Sequence, residues 1–260
     1  MTGMASWNHR LGSHYRLEPS RYSKIVEPLT FDSMSGVAVA WTGGKDSSLA
    51  FYESEMLGYK VDCLVTFAWS QETFLAHPLD FITLQAEALD LPHYTLDVAE
   101  PFNRGYEDAL SLLKEQHGID ILITGDIGEV TGHDPNWLVE RAARCNVEVI
   151  RPLWHISGIE LLNRLLKLGF RVVFSCVKTP WFTDEWLGKE LSANTIQQLL
   201  EINRRTGLDI CGEQGEYHTL ATDGPQFKKR IRIESYSKRV HDSVMYIALE
   251  SVRLEERTKP

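Results

Sequence analysis

A phosphate-binding site is indicated by residues 42–48, which read Thr-Gly-Gly-Lys-Asp-Ser-Ser. Two adjacent glycines let the backbone approach an anion closely, and the lysine adds a positive charge. The segment also opens a helical pattern, and a helix start offers unbonded amides and the positive end of a dipole. We therefore predict that a phosphate group is bound by Thr42, Gly43, Gly44, Lys45, Asp46, Ser47 and Ser48.

This segment matches neither of the two common glycine-rich nucleotide motifs. A Walker A loop needs a glycine five residues before Gly44, where Val39 stands, and Ser or Thr after the lysine, where Asp46 stands. The GxGxxG spacing of dinucleotide-binding folds is not met either. The alternative is a plain glycine-rich turn with a surface lysine, which its position directly after a buried strand disfavours.

A carboxylate directly follows the apolar run 119–124, in the pair Gly125-Asp126. At the carboxyl end of a strand that faces a phosphate site, a carboxylate suits Mg²⁺. We predict Asp126 and Asp46 as magnesium ligands and Gly125 as part of the nucleotide site. An ordinary Gly-Asp turn is the alternative interpretation.

A second acidic segment, residues 211–219, reads Cys-Gly-Glu-Gln-Gly-Glu-Tyr-His-Thr. Its glycines and polar side chains predict a loop rather than a helix or a strand. Glu213 and Glu216 are candidates to bind Mg²⁺, an amine or ammonium, or to act as a general base. His218 is a third candidate base, and the sequence does not rank the three. The alternative is an acidic surface turn with a hydrogen-bonding histidine.

Alternating strands and helices must position these segments. Strands are predicted at 36–41, 61–67, 93–98, 119–124 and 147–150, and helices at about 46–57, 79–89, 106–116 and 137–145. This alternation predicts an α/β fold with a doubly wound, mostly parallel sheet. Ligands bind such sheets at the carboxyl ends of the strands, which selects the loops 42–48, 67–78 and 125–135.

The remaining chain mixes helices and strands differently. Helices are predicted at 158–168 and 193–206, and strands at 170–177, 229–235 and 243–251. The last two strands alternate apolar and polar residues, as in an antiparallel pair with one face exposed to solvent. We predict three parts: an N-terminal extension (1–35), a phosphate-binding domain (36–150) and a smaller C-terminal α+β domain for the acceptor (151–260).

Composition excludes several classes of protein. The chain has 260 residues, and 27 Lys and Arg against 36 Asp and Glu give a net charge of −9, which disfavours a nucleic-acid partner. No apolar run approaches the roughly 20 residues that a membrane span needs, and the N-terminus is polar. The cysteines stand too far apart for a CxxC pair, so we expect reduced thiols in a cytoplasmic protein. They are Cys63, Cys145, Cys176 and Cys211.

Residues 42–47 resemble the SGGxDS loop of the PP-loop ATP pyrophosphatases, with Thr42 in place of the first serine. That superfamily has a doubly wound sheet of the adenine nucleotide alpha hydrolase type and splits ATP between its α and β phosphates. The resemblance implies that this loop holds the departing pyrophosphate.

A more specific resemblance is to the diphthine–ammonia ligase family within that superfamily. Its terminal pattern is matched by residues 211–219 followed by Asp223-Gly224-Pro225. Three further segments stand in the expected order: Gly125-Asp126-Ile127, Pro152-Leu153-Trp154 and Leu187-Gly188-Lys189. The resemblance covers roughly residues 36–230.

This resemblance implies that ATP, with Mg²⁺, adenylates a carboxylate, and that ammonia then displaces AMP to form an amide. The residues implied in catalysis are Lys45, Glu213, Glu216 and His218. In eukaryotic and archaeal members the carboxylate belongs to diphthine, a modified histidine of a translation elongation factor. With His218 in its GEYHT segment, the chain resembles a bacterial branch, in which a role in cobalamin-related metabolism is suspected. The acceptor therefore stays open between protein-borne diphthine and a small molecule.

Other functions stand as alternatives. A tRNA thiolation enzyme of the same superfamily would need paired cysteines and a basic surface. A glutamine-fed ligase would need an amidotransferase domain, so free ammonia or a partner is expected to supply the nitrogen. A non-catalytic adenine-nucleotide sensor would keep the glycine loop but would not need the carboxylates of 211–219. A homodimer is one possible assembly.

Overall fold

A computed structural model of the chain describes residues 35–69, 75–128, 134 and 136–257. The predicted N-terminal extension, residues 1–35, lies outside this description except for its last residue. Parts of the predicted loops 67–78 and 125–135 lie outside it as well.

Five parallel strands form the first sheet, in the order β3-β2-β1-β4-β5. They are β1 (Gly36–Ala40), β2 (Cys63–Ala68), β3 (His93–Asp97), β4 (Ile119–Ile123) and β5 (Glu148–Ile150). The predicted doubly wound parallel sheet is thereby confirmed. Because the strand order reverses beside β1, the loops after β1 and β4 open into one crevice at the carboxyl edge of the sheet.

Four helices cover the two faces of this sheet. They are α1 (Lys45–Met56), α2 (Leu79–Leu89), α3 (Phe102–His117) and α4 (Trp137–Arg144). Successive strand residues point to opposite faces, so Val39 packs with Leu49 of α1 while Ala38 packs with Leu110 of α3. The first two helices therefore share one face, and α3 and α4 share the other.

The rest of the chain builds a second, antiparallel sheet with the strand order β7-β6-β9-β8. Its elements are α5 (Gly158–Lys167), β6 (Arg171–Lys178), a short 3₁₀ helix (Asp184–Trp186), α6 (Ala193–Thr206), β7 (Tyr217–Asp223), β8 (Lys229–His241) and β9 (Val244–Glu256). Ser192 and Thr195 form a capping box at the start of α6, and Gly207, at φ 75°, ends it. The predicted C-terminal α+β arrangement is confirmed.

The predicted loop at 211–219 was wrong for its last three residues, which form the start of strand β7. Tyr217, His218 and Thr219 belong to a strand that pairs with β6, and the sequence pattern did not reveal it. The reason is burial on both faces, since Leu220 and Ala221 are both fully buried and no alternation of apolar and polar residues arises. Residues 211–216 precede the strand as a loop, as predicted.

The apolar core runs through both sheets. One cluster of buried side chains contains Val39 of the first sheet and Leu49 of α1, together with Phe174 and Leu220 of the second sheet. The boundary placed near residue 150 separates the two sheets along the chain, and its use as a domain limit stays a prediction. None of the helices in the described ranges is long and apolar enough to cross a membrane. The four cysteines are unpaired.

Candidate active site at the edge of the first sheet

The glycine loop between β1 and α1 packs against β7. The carbonyl oxygen of Gly43 accepts hydrogen bonds from Ala221 N at 2.9 Å and from Gln85 Nε2 at 2.9 Å. Gly43 has a left-handed φ of 77°, and a Cβ there would collide with Gln85 Oε1. Gln85 could not be recognised from the sequence, because a single glutamine inside a helix carries no signal of its burial.

Helix α1 begins at this loop without a side-chain cap, since its N-cap residue is Gly44. One of its first amides, Lys45 N, donates to Thr219 Oγ1 at 3.1 Å. The hydroxyls of Ser47 and Ser48 donate to the Gly44 carbonyl at 3.2 and 2.8 Å, so they brace the loop from within. The exposed Thr42 hydroxyl lies 3.4 Å from that of Ser47. The predicted loop residues are thus brought together at the helix start.

Lys45 is buried at the centre of this arrangement, with 3% of its surface exposed. Its Nζ donates to Asp46 Oδ2 at 2.8 Å and to the Cys211 carbonyl at 2.5 Å, and it lies 5.2 Å from the centre of the Tyr217 ring. Burial opposes the charge, but Asp46, Tyr217 and Cys211 together outweigh it and hold the pKa of Lys45 above its ordinary value. A fixed positive charge therefore sits beside the helix start.

One predicted magnesium ligand, Asp46, lies in the first turn of α1, and the other, Asp126, lies in the loop after β4. Asp46 Oδ1 is buried and has no hydrogen-bond partner among the described residues, while Asp126 is exposed and accepts a bond from Thr124 Oγ1 at 2.9 Å. Burial raises the pKa of Asp46, and Lys45 opposes this rise. No group of three His, Cys, Asp or Glu among the described residues is arranged to hold a metal alone. The donors fit Mg²⁺ held by one or two carboxylates together with phosphate oxygens.

Gly125 brings the loop after β4 into contact with the first turn of α1. A Cβ added to it would lie 2.8 Å from both Asp46 C and Ser47 N, in the first turn of α1. Only a residue without a side chain allows the loop after β4 to approach the helix start this closely.

We expect Gly125→Ala to push the loop after β4 away from α1 and to weaken pyrophosphate binding. The overpacking should also lower the free energy of unfolding by about 1–3 kcal/mol. Calorimetric titration with pyrophosphate and thermal unfolding measure the two effects. Gly128→Ala is the matched control, because a Cβ at Gly128 meets no atom of the described residues within 4 Å. Equal behaviour of the two variants would contradict this close packing.

Residues 209–216, named here the carboxylate loop, are held together by two acidic side chains. Asp209 Oδ1 accepts from Cys211 N at 2.7 Å and from Glu213 N at 3.4 Å. Glu216 accepts from Asp209 N at 3.0 Å and from Gln214 N at 2.9 Å, one bond to each carboxylate oxygen. Glu216 is also 3% exposed. Its side chain is therefore directed into the loop and not toward the crevice.

Glu213 differs from Glu216 in its surroundings. Its pKa is raised to about 7 by burial first, with further contributions from the carboxylates of Asp46, Asp209 and Asp126, while Lys45 opposes the rise. A carboxyl group with a pKa near neutrality exchanges a proton readily at physiological pH. The structure thus separates two glutamates that the sequence left unranked.

Two histidines meet beside the glycine loop. His77 Nε2 lies 3.4 Å from His218 Nδ1, and the rings form an edge-to-face pair with centres 5.2 Å apart. Burial and Lys45 lower the pKa of His218 to about 4, and burial, His218 and Lys45 lower that of His77 to about 3. Both rings are therefore neutral near pH 7. His77 was not predicted as a site residue, although it lies in the loop 67–78 that the expected sheet geometry selected.

Comparison with known proteins identifies related sequences. The family model "Diphthamide synthase N-terminal domain" matches residues 35–138, and "Diphthamide synthase C-terminal domain" matches residues 157–254. A mouse (Mus musculus) protein named diphthine–ammonia ligase is 26% identical over 251 residues, covering 85% of this chain and 93% of the mouse protein. The bovine (Bos taurus) protein of that name is 25% identical over 255 residues, covering 86% and 94%.

A solved structure of lower similarity comes from Methanocaldococcus jannaschii and is described as a "predicted subunit of tRNA methyltransferase". It has a TM-score of 0.42 and 18% sequence identity, and the match covers 74% of this chain and 98% of that one. A likeness at this level carries no inference about activity.

Proposed function

Because the chain belongs to the diphthamide synthase family, we propose that it is an ATP-dependent ligase that adenylates a carboxylate and amidates it with ammonia. Two domains of that family are matched over most of the chain, which confirms the family predicted from the sequence. The relatives named above are ligases, the enzyme class that the sequence also predicted. The assignment of individual residues to steps is our proposal.

The observation that carries this proposal is the meeting of two loops at Lys45. Its backbone opens the helix that receives a phosphate group, and its Nζ holds the Cys211 carbonyl of the carboxylate loop at 2.5 Å. Groups that stabilise a leaving pyrophosphate and a carboxyl group with a pKa near 7 therefore lie in one crevice. A ligase that first splits ATP and then forms an amide needs both.

In the first step, the acceptor carboxylate attacks the α phosphorus of ATP and the bond to the β phosphate breaks. The charge that develops on the departing pyrophosphate is stabilised by Lys45 and by the amides at the start of α1. Asp46 and Asp126 would hold Mg²⁺ together with the phosphates, and the ion would supply charge neutralisation there.

In the second step, ammonia attacks the acyl carbon, the bond to AMP breaks, and the nitrogen loses a proton. We assign this proton to the Glu213 carboxylate, because its pKa of about 7 suits a base at neutral pH. Glu216 positions the carboxylate loop through its two backbone bonds. His218 and His77 line the site as neutral rings.

The acceptor is a carboxylate whose identity is taken from the relatives as a hypothesis. Their names state diphthine and ammonia as the two substrates. We propose diphthine or a small-molecule carboxylate as the acceptor here, with free ammonia as the nitrogen source. A homodimer, which the sequence leaves open, is checked by measuring the mass of the native protein in solution.

Product analysis tests the proposed function. Purified protein is incubated with Mg-ATP and ammonium, with diphthine-bearing elongation factor or with a panel of small carboxylic acids. We expect AMP and pyrophosphate in equal amounts, together with one amide. Formation of ADP and phosphate would contradict the proposal. Tight nucleotide binding without cleavage under every acceptor would favour the sensor.

A further inference from the structure

Gln85 of α2 is a fully buried amide that contacts three backbone or side-chain groups. Its Oε1 accepts from Trp41 Nε1 at 3.0 Å. Its Nε2 donates to the Gly43 carbonyl at 2.9 Å and to the Ala221 carbonyl at 2.7 Å. One side chain thereby joins the end of β1, the glycine loop and β7.

The orientation of this amide follows from its partners. An indole N–H can only donate and a backbone carbonyl can only accept. The oxygen of Gln85 must therefore face Trp41, and the NH₂ group must face Gly43 and Ala221. No other orientation satisfies all three groups.

The Gly43 carbonyl accepts two hydrogen bonds, and these fix the plane of the peptide between Gly43 and Gly44. In a planar trans peptide the C=O and the following N–H point in opposite directions. With the Gly43 carbonyl held toward Gln85 and Ala221 N, the Gly44 N–H points away from α2 and β7. No described residue accepts a hydrogen bond from this amide, so it is left to donate to a phosphate.

We propose that Gln85 is a positioning residue for polyphosphate binding, because it holds the Gly43 carbonyl and so directs the Gly44 amide at the phosphate. This inference rests on the proposed function only in taking residues 42–48 as the pyrophosphate site. Gln85 touches no phosphate itself. Its effect passes through the peptide between Gly43 and Gly44.

The test uses Gln85→Met, which keeps the volume of the side chain and removes its three hydrogen bonds. Ile82→Ala is the control, because Ile82 lies in the same helix, is fully buried and belongs to the apolar core. Both variants lower stability, and thermal unfolding measures by how much. Calorimetric titration with pyrophosphate then distinguishes the two causes. A misdirected Gly44 amide weakens pyrophosphate binding, whereas a general loss of stability does not.

We expect Gln85→Met to weaken pyrophosphate binding by about 10-fold or more and to raise the KM for ATP. Ile82→Ala should leave both values within about twofold of the unchanged protein. Unchanged pyrophosphate affinity in Gln85→Met would overturn the inference. Equal weakening by Ile82→Ala would overturn it too.

A second variant and a second readout keep the inference testable. Gln85→Glu keeps the shape but replaces the donor NH₂ by an oxygen that faces two carbonyls, so we expect weaker binding there as well. If the unchanged protein binds no pyrophosphate, the proposed function fails. The inference about Gln85 is then tested by amide hydrogen exchange. Gln85→Met should then speed amide exchange in residues 42–48 more than Ile82→Ala does, and equal rates would overturn it.

Discussion

Replacing Lys45 by alanine should reduce the rate of ATP cleavage to AMP and pyrophosphate by about 100-fold to 1,000-fold. Lys45 carries the one buried ammonium that the described residues place at the start of α1. Its charge is held by Asp46 and by the Cys211 carbonyl, so it needs no rearrangement when the leaving group develops charge. A positive charge fixed in advance contributes more to the transition state than one that must be recruited from solvent.

The measurement is the initial rate of pyrophosphate release from Mg-ATP in the presence of an acceptor and ammonium. Lys60→Ala is the matched control, because Lys60 is an exposed lysine outside the site. Removing Lys45 also takes a counter-charge from Asp46, so thermal unfolding must show that the variant is folded at the assay temperature. A folded Lys45→Ala protein that cleaves ATP at the full rate would refute the assignment.

Replacing Glu213 by glutamine should slow amide formation by about 100-fold to 10,000-fold while leaving pyrophosphate affinity nearly unchanged. The carboxyl group of Glu213 has a pKa of about 7, so it is mostly protonated below that pH and cannot accept a proton. The rate of amide formation should therefore rise as the pH increases through about 7 and then level off. Glutamine has no ionisable group, so the variant should lose this dependence.

Ammonia itself titrates, so the pH profile is measured with hydroxylamine, a much less basic nitrogen nucleophile. Glu185→Gln is the control for a surface glutamate, because Glu185 is exposed in the short 3₁₀ helix. Glu216→Gln should mainly lower stability, because Glu216 accepts two backbone amides of the carboxylate loop. A Glu213→Gln enzyme that keeps both its rate and its pH profile would show that another group takes the proton.

His77 and His218 are weaker candidates than Glu213 for accepting the proton that the nitrogen loses. Their pKa values of about 3 and about 4 mean that they hold a proton poorly at neutral pH. Their rings lie in contact next to Gly44, where a Cβ would meet His77 Cε1 at 3.4 Å. Their position suits packing against the glycine loop.

The parts of this protein that the sequence determined by itself depend on local patterns. The alternation of apolar strands with helices predicted the parallel sheet, and the glycine loop predicted where α1 begins. The rule that ligands lie at the carboxyl ends of strands brought Gly125 and Asp126 to that loop. Each of these inferences needs only neighbouring residues or the order of elements along the chain.

Tertiary structure alone decided how the site is completed. Thr219 reaches Lys45 across 174 positions, and Ala221 reaches Gln85 across 136. Strand β7, which carries Thr219 and Ala221, is buried on both faces and so shows no alternation. Likewise, Glu213 and Glu216 are the same residue type three positions apart, and only burial and hydrogen-bond partners distinguish them. Burial and long-range contacts are properties of the folded chain, so no local pattern could have supplied them.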